Sequence, residues 1–279
     1  MDKIKNKRTR LSNFLLKCVL ILLAAVCAIP LYITVVNVFK ATDKIAASPM
    51  TIPIPPTLEN LKNAFTNPNI KVGQMYMNSI LITVFGAILC IIVSSMAAYY
   101  LARVKSRLSK YLYVYFLFGL MVPYVIVYVP LVTMFNKLAI PTNLVTLIFV
   151  FVSGSISFSV FMFTGFIGTI TPELEEAAIM DNAGQFTIYF QIIMPLVKPC
   201  TATVAIFIGL SMWNDFLTPL LIGQIKTITV GIYTAIGPHA SDWGSVFAYV
   251  LLATLPIAIL YICAQKQFIS GLTSGALKG

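Results

Sequence analysis

The amino-acid sequence predicts an all-α polytopic membrane protein of six transmembrane helices with both termini in the cytoplasm. Of its 279 residues, 59% are hydrophobic and only 10% carry a charge, and the mean hydropathy is +0.91. A soluble domain carries roughly 25% charged residues, so this chain lacks the polar residues that cover a water-soluble globule. The composition excludes an ordinary soluble enzyme, a disordered protein and a secreted disulfide scaffold, and it predicts several membrane spans.

Six stretches that are almost free of charge are long enough to cross the hydrocarbon core, which takes about 20 apolar residues. They predict a single membrane domain over 1–279, with spans at residues 14–39, 74–102, 111–135, 143–168, 199–223 and 243–265. The first stretch reaches Phe39 and exceeds the apolar core of a signal peptide, so we expect an uncleaved first span. The connection from Lys40 to Gly73 holds five prolines, which favour extended or turn structure over helix.

The basic residues predict the orientation of the chain. Most of the nineteen lysines and arginines lie in the N-terminal tail, in the connection after the second span and in the C-terminal tail of residues 266–279. Lys and Arg collect in cytoplasmic loops, so we expect both termini in the cytoplasm. The net charge of +10 follows from these short clusters between apolar runs, and it does not indicate nucleic-acid binding.

The sequence lacks the motifs that bind nucleotide phosphates or carry out hydrolysis. It has no Walker A motif, and no Gly-Lys pair occurs anywhere in the chain. Its one histidine, His239, and its five cysteines, which form no CxxC pattern, predict no metal site. We therefore expect no catalytic residue, no metal and no cofactor on this chain.

The connection between the fourth and fifth spans, residues 169–198, departs from the basic pattern of the other cytoplasmic segments. It contains four acidic residues and a single lysine. Thr171 as N-cap and Pro172 as first residue predict a helix with an acidic first turn, and Asn182 predicts a left-handed helix end. A stripe of small residues and a run of aromatic residues complete the segment. We interpret it as a docking element for a cytoplasmic protein; a loop folded back on its own helices is the alternative.

The same connection resembles the EAA loop of binding-protein-dependent ABC importer permeases, in their maltose-type carbohydrate branch. The residues that carry the resemblance are Glu176-Ala177-Ala178, the turn position Asn182, and Ile192, Met194 and Pro195. Further matching stretches are residues 55–60, 213–216, 268–272 and the tail 271–279, so the resemblance extends over nearly the full length. Asn182 stands where the family has Gly and Met194 where it has Leu, and both residues are compatible with the loop.

The resemblance implies a type I ABC importer permease fold and one half of the translocation pathway for a sugar or oligosaccharide in a bacterial cell membrane. The implied partners are a homologous second permease, two ATPase subunits that bind ATP and Mg²⁺, and an extracytoplasmic binding protein, so this chain is not itself an enzyme. The implied ATPase-coupling residues are Glu175, Glu176, Ala177, Ala178, Asp181, Asn182, Gly184 and Pro195, with Glu176 as the polar anchor. The implied ATPase-contacting residues in an extended tail are Thr273, Ser274, Gly275, Lys278 and Gly279.

A carboxylate inside the predicted fifth span marks a second candidate site. Trp213, Asn214 and Asp215 are candidates to line the pathway or its gate, because a charge at membrane depth costs roughly 2.5–3.5 kcal/mol unless it faces other helices or water. A structural polar contact near the end of the span is the alternative. The aromatic rings of Tyr124, Tyr128 and Trp213 are candidates for stacking on sugars, with helix packing as the alternative.

Three further interpretations remain open from the sequence. A permease for glycerol phosphate or a polyol has the same pattern as a sugar permease. A self-contained secondary carrier needs coupling carboxylates or an internal repeat, and a lipid-modifying membrane enzyme needs a reactive cluster near an interface; the sequence favours neither.

The connection between residues 223 and 243 is expected to be an irregular segment that contacts the binding protein.

Overall fold

A computed structural model describes residues 2–67, 71–236 and 242–276, with side chains from residue 13 to residue 263 within those ranges and at residue 265. The described backbone contains helices and no strand, which confirms the all-α prediction. Four helices are long and apolar enough to cross a membrane, and two bent helix pairs raise that number to as many as six. The four single candidates are Asn13–Val38, Val72–Arg103, Leu144–Ile167 and Trp243–Cys263. The count of six remains a prediction.

The chain divides into two compact units, the first made of Met1–Lys71 and Thr234–Leu255. The first of these segments contains α1 (Asp2–Val38), the short α2 (Thr42–Ile45) and α3 (Glu59–Thr66), and the second contains the beginning of the last helix of the chain. The connection after α1 was predicted to be extended or turned, but α3 forms between its prolines. The eight residues of α3 contain no proline, so nothing in that stretch removes a helical hydrogen bond.

A buried asparagine joins α3 to the end of α1 within the first unit. Asn60 donates from Nδ2 to the carbonyl oxygens of Asn37, Val38 and Lys40, at 3.3, 3.0 and 2.7 Å. These bonds satisfy carbonyls that the end of a helix leaves without partners. The Lys40 ammonium is buried and donates to the Ser48 carbonyl, and burial lowers the pKa of Lys40 below its ordinary value.

The second unit, Val72–Tyr233 with Pro256–Gly279, has a core built on three helices. These are α4 (Val72–Arg103), α7 (Leu144–Ile167) and α10 (Lys198–Asn214). Small residues let them approach closely: a Cβ added at Gly86 of α4 would lie 2.8 Å from the Met212 sulfur of α10. Such close approach is typical of helix packing in membranes.

The predicted third span is broken. In place of one helix over 111–135, α5 (Arg107–Met121) and α6 (Tyr124–Lys137) meet at an angle of 99°. Val122 and Pro123 between them have extended backbone, with ψ of 116° and 119°. A residue before proline is driven out of the helical region, so the break follows from Pro123.

The helix of the predicted fifth span begins where it was predicted and ends earlier. A short helix, α9 (Gln185–Leu196), precedes α10 at an angle of 75°. The predicted span 199–223 ends as a helix at Asn214, and the chain continues through a π-helical turn at Pro219–Gly223. The segment after it forms α11 (Ile228–Ala235), where the prediction was an irregular connection. The last helix, α12, extends over Trp243–Ala276.

Candidate functional site

The acidic connection forms a helix, α8 (Glu173–Met180), with three glutamates in its first turn. Pro172 occupies the N-cap position, so the helix begins one residue later than the predicted N-cap at Thr171 implies. Its end is the predicted one: Asn182 has a φ of +59°. The Asn182 amide donates to the Ile179 carbonyl and the Ala183 amide to the Ala178 carbonyl, both at 2.9 Å. This pair of bonds is the Schellman motif that closes helices on a left-handed residue.

One glutamate of α8 points into the protein and forms an ion pair. The Arg103 Nε lies 2.6 Å from the Glu175 Oε1, and the Tyr99 hydroxyl donates to the other oxygen, Oε2, at 2.8 Å. The arginine and glutamate side chains are only 17% and 11% exposed. A carboxylate that is this strongly buried needs a counter-ion and hydrogen bonds. Helix α4 supplies both, because Tyr99 and Arg103 are four residues apart on one face of the helix.

Arg103 also holds the end of α7. Its Nη1 donates to the Ile167 carbonyl at 3.2 Å and its Nη2 to the Ile170 carbonyl at 3.1 Å. One guanidinium therefore joins the ends of α4 and α7 to the first turn of α8. From the sequence alone, Arg103 is one of the basic residues that predict the orientation. Its position at the end of an apolar span, with Tyr99 one turn earlier, is the signal that could have identified its role.

The second helix of the connection is attached to α4 as well. The Tyr189 hydroxyl lies 2.7 Å from the Ser95 hydroxyl, and both residues are buried. The Tyr189 ring packs on the Tyr99 ring with centroids 5.6 Å apart. The stretch Ile188–Ile193 is π-helical, a form that often occurs at functional sites. Together these contacts fix α8 and α9 to the same length of α4.

The opposite face of the connection is exposed. Glu176, Ala177, Asp181, Asn182, Gly184 and Pro195 are solvent-accessible, as predicted for residues of a docking surface. Large apolar side chains surround them: Met180 is 82% and Phe186 72% exposed. Ala178 departs from the predicted set, since it is buried and packs into the core of the second unit. Glu175 departs from it too, because its carboxylate is held by Arg103 and Tyr99 and is not presented outward.

The predicted extended tail is helical where the structure describes it. α12 continues to Ala276 and includes Thr273, Ser274 and Gly275. No proline lies in this stretch, and an isolated glycine is tolerated in a helix. Lys278 and Gly279 lie outside the described residues, and so does His239.

The residues predicted at a gate separate into different environments. Trp213 is buried, and its ring packs 6.2 Å from that of Tyr76. Asn214 is exposed and donates to the Leu210 carbonyl. Asp215 accepts from the Thr218 amide at 3.1 Å, from the Thr218 hydroxyl at 2.5 Å and from the Tyr128 hydroxyl at 3.4 Å. This carboxylate caps the turn that follows α10, which supports the structural alternative for Asp215.

Two of the aromatic candidates pack within the protein. Tyr124 and Tyr128 are in edge-to-face contact at 5.1 Å, and the Tyr128 hydroxyl is bonded to Thr218. Helix packing is therefore what these two rings do in the structure. Among the described residues, no group of three or more histidine, cysteine, aspartate or glutamate side chains is arranged to hold a metal ion.

Comparison with known proteins places this architecture among transport components. Residues 90–271 match a family described as "Binding-protein-dependent transport system inner membrane component". The chain is 35% identical to the melibiose/raffinose/stachyose import permease protein MelC of Bacillus subtilis, over 94% of this chain and 96% of that one. It is 33% identical to the multiple sugar-binding transport system permease protein MsmG of Streptococcus mutans, over 98% of this chain and 100% of that one.

A solved structure has the same fold. A chain from the crystal structure of a bacterial ABC transporter involved in the import of the acidic polysaccharide alginate superposes with a TM-score of 0.76. The match covers 90% of this chain and 95% of that chain at 20% sequence identity. The similarity is one of architecture.

Proposed function

Because the chain belongs to the family of binding-protein-dependent transport system inner membrane components, a multi-pass component of the cell membrane, we propose that it forms one half of the translocation pathway of an ATP-driven sugar importer. A homologous second permease forms the other half. Two cytoplasmic ATPase subunits bind and hydrolyse ATP, and an extracytoplasmic binding protein delivers the substrate. In this proposal six spans cross the membrane, both termini are cytoplasmic, and the chain carries out no chemical reaction itself.

The observation that carries the proposal is the two-sided construction of α8. Its inner side is tied to α4 and α7 through the ion pair between Glu175 and Arg103. Its outer side exposes acidic and large apolar side chains together. An exposed apolar surface of this kind is typical of a protein interface. A helix that is rigidly held on one side and open on the other is suited to transmit the movement of a bound partner into the membrane helices.

We infer a mechanism in which α8 acts as a lever. Glu176 pairs with a basic or polar group in a cleft of one ATPase, and the small side chain of Ala177 lets the cleft wall approach. Asn182 ends the helix there, and Gly184 and Pro195 border the docked segment. When ATP draws the ATPase pair together, α8 moves with its ATPase, and Arg103 transmits the movement to the ends of α4 and α7. The pathway then changes from inward-facing to outward-facing by a rigid-body rotation.

The substrate class follows from the relatives. Three that match over nearly their full length are named for starch degradation products, for melibiose, raffinose and stachyose, and for trehalose and maltose. These names favour a sugar or oligosaccharide over a glycerol phosphate or a polyol. We propose the same class for this chain, with the choice among sugars made largely by the binding protein.

Two further contacts are proposed outside α8. The C-terminal end, including Thr273, Ser274, Gly275, Lys278 and Gly279, reaches the ATPase interface on the cytoplasmic side. The helix and connections of residues 223–243 face the binding protein on the other side. Both contacts follow from the predicted orientation, in which the two segments lie on opposite sides of the membrane.

The test is purification of the tagged full-length chain from native membranes in mild detergent, with mass spectrometry of the proteins that accompany it. We expect a second permease and an ATPase with a nucleotide-binding P-loop. Uptake of labelled maltose, melibiose and raffinose by vesicles that contain the purified complex then identifies the sugar. Recovery of the chain alone, repeated after cross-linking, would falsify the importer proposal.

A charge reversal on α8 sharpens this test. Glu176→Lys is expected to remove the ATPase from the purified complex while the second permease stays, because the proposed docking contact reverses in sign. Glu59→Lys is the matched control, since Glu59 is an equally exposed glutamate in the first unit. Equal ATPase recovery with both variants would show that Glu176 is not part of the interface.

A further inference from the structure

Three exposed residues on α10 form a stripe that is not suited to lipid. Phe207, Ser211 and Asn214 follow one another at spacings of four and three residues, so they lie on one face of the helix. All three are accessible to solvent, although α10 is an apolar helix of the second unit. Serine and asparagine side chains in membrane helices are typical of places where one helix meets another, because they can hydrogen-bond across the contact. We therefore expect this stripe to face another helix or a water-filled path.

A cavity of about 210 Å³ lies beside this stripe, between α10 and α7. It is lined by Gly154, Ser155 and Phe158 of α7 and by Phe207, Ile208 and Ser211 of α10. The rings of Phe158 and Phe207 are 5.8 Å apart, tilted by 54°. The lining thus combines a pair of phenylalanine rings in contact with each other and two serine residues.

Glycine is required at one edge of the cavity. A Cβ built on Gly154 would lie 2.7 Å from the Tyr124 ring, so the ring of α6 rests on bare α7 backbone there. The opening is shallow and open on one side, as expected for a place that a solute passes rather than one that retains it.

We propose that the cavity lined by Phe158 and Phe207 is a sugar-contacting site on this chain's side of the pathway, in which the sugar packs on the side of the ring pair that faces the cavity. A pyranose ring has an apolar face of C–H groups that packs on an aromatic ring, and its hydroxyls accept and donate hydrogen bonds at the edge of that ring. Phe158 and Phe207 offer the first kind of contact and Ser155 and Ser211 the second. This mixture of apolar walls and a few placed polar groups is characteristic of small-molecule sites.

This inference rests on the proposed function and changes where the pathway lies in the chain. The gate predicted from the sequence was Trp213, Asn214 and Asp215. Of these, the structure leaves Asn214 on the exposed stripe, whereas Trp213 is buried and Asp215 caps a turn. The proposed sugar-facing positions on α10 are Phe207 and Ser211, which lie two turns and one turn before Asn214.

The first test uses the reconstituted importer with its binding protein and labelled maltose, melibiose or raffinose, whichever the wild type transports. Phe207→Ala combined with Phe158→Ala is expected to lower the uptake rate about tenfold, with ATPase association unchanged. Phe207→Trp, which keeps an aromatic face, is expected to retain most of the uptake. Phe149→Ala is the matched control: Phe149 is an exposed phenylalanine on the opposite face of α7, and its loss leaves uptake within about twofold. Equal loss of uptake in this control, or none in the double variant, would overturn the proposal.

A second measurement does not depend on transport rates. A cysteine in place of Ser211 is treated with a water-soluble maleimide in membranes, with the wild type as the blank for the native cysteines. We expect labelling of Ser211→Cys, and slower labelling when the transported sugar and its binding protein are present during ATP turnover. No labelling would show that the stripe is covered by lipid or by the second permease. Labelling without protection by sugar would show a watery surface that the sugar does not touch, and either result contradicts the site.

The two proposals fail in different ways. If the wild-type complex transports none of the sugars tested and carries no ATPase, the importer proposal is wrong. If the wild type transports a sugar and both the aromatic variants and the thiol at position 211 behave like their controls, only the sugar-contacting site is wrong.

Discussion

Two carboxylates of the second unit show how differently the same chemical group can be used. Glu175 binds Arg103 and Tyr99, which lie 72 and 76 residues away in the sequence. Asp215 binds the amide and hydroxyl of Thr218, three residues away, and the Tyr128 hydroxyl at a longer distance. The first carboxylate joins three helices through a charged partner. The second closes a local turn through neutral donors.

The difference indicates which of the two transmits force. A bond that closes a turn moves with that turn and constrains little else. An ion pair between the end of α4 and the first turn of α8 makes two distant segments move together. We therefore propose that Glu175 and Arg103 carry the coupling, whereas Asp215 shapes the end of α10.

The largest expected effect comes from removing the cation. Arg103→Ala leaves the Glu175 carboxylate without its counter-ion and frees two carbonyls at the end of α7. We expect a loss of about 3 kcal/mol in stability, at the lower end for breaking a buried ion pair, because both side chains keep some exposure. Thermal unfolding of the purified protein in detergent measures it. Arg107→Ala, at an exposed arginine four residues on, is the control, and an equal loss there would contradict the assignment.

A smaller effect is expected at the second partner of Glu175. Tyr99→Phe removes only the hydroxyl that donates to Oε2 at 2.8 Å and keeps the ring contact with Tyr189. A hydrogen bond to a charged group contributes about 1.5–3 kcal/mol, and we expect the lower value here. The same unfolding measurement applies. A larger loss than that of Arg103→Ala would show that the hydroxyl, and not the cation, holds the carboxylate.

The local carboxylate is expected to matter less. Asp215→Ala removes an N-cap type bond and lowers stability by about 1 kcal/mol, whereas Asp215→Asn, which can still accept from the Thr218 amide, costs a few tenths. If Asp215→Asn instead abolished uptake while the protein stayed folded, the charge itself would be needed in the pathway. The gate interpretation from the sequence would then be correct.

The smallest effect is expected at the end of α8. Asn182 has a φ of +59°, which glycine adopts without steric cost, so Asn182→Gly should change stability by less than about 0.5 kcal/mol and leave ATPase recovery unchanged. Asn182→Val supplies the contrast, since a β-branched residue there costs about 1–2 kcal/mol. Equal behaviour of glycine and valine would mean that the left-handed conformation does not end the helix.

Much of the membrane architecture could be predicted from apolar runs and charge. The long helices α1, α4, α7 and α12 contain the predicted spans 14–39, 74–102, 143–168 and 243–265 to within a few residues, because a long charge-free run has few alternatives to a helix. The break at Pro123 and the early end of α10 at Asn214 were not predicted. In the first, the run is apolar on both sides of Pro123, and hydropathy does not record the angle between two helices.

The local shape of the candidate site could be predicted from the sequence, but the directions of its side chains could not. The acidic first turn and the left-handed Asn182 were readable locally, because caps and turns depend on a few neighbouring residues. The inward direction of Glu175 and its pairing with Arg103 depend on how α4 and α8 pack. A single sequence contains no record of that packing, so adjacent glutamates at 175 and 176 received the same role although they point to opposite sides.

The most direct test of the account compares the amount of sugar transported per ATP hydrolysed in vesicles that contain the complete importer. Glu175→Gln keeps a side chain of the same shape but removes the charge that binds Arg103, and Asp215→Asn makes the same change at the local carboxylate. We predict that Glu175→Gln assembles with the ATPase and lowers the ratio about tenfold, while Asp215→Asn stays within about twofold of the wild type. A wild-type ratio in the Glu175→Gln importer would contradict the claim that this ion pair couples the ATPase to the membrane helices.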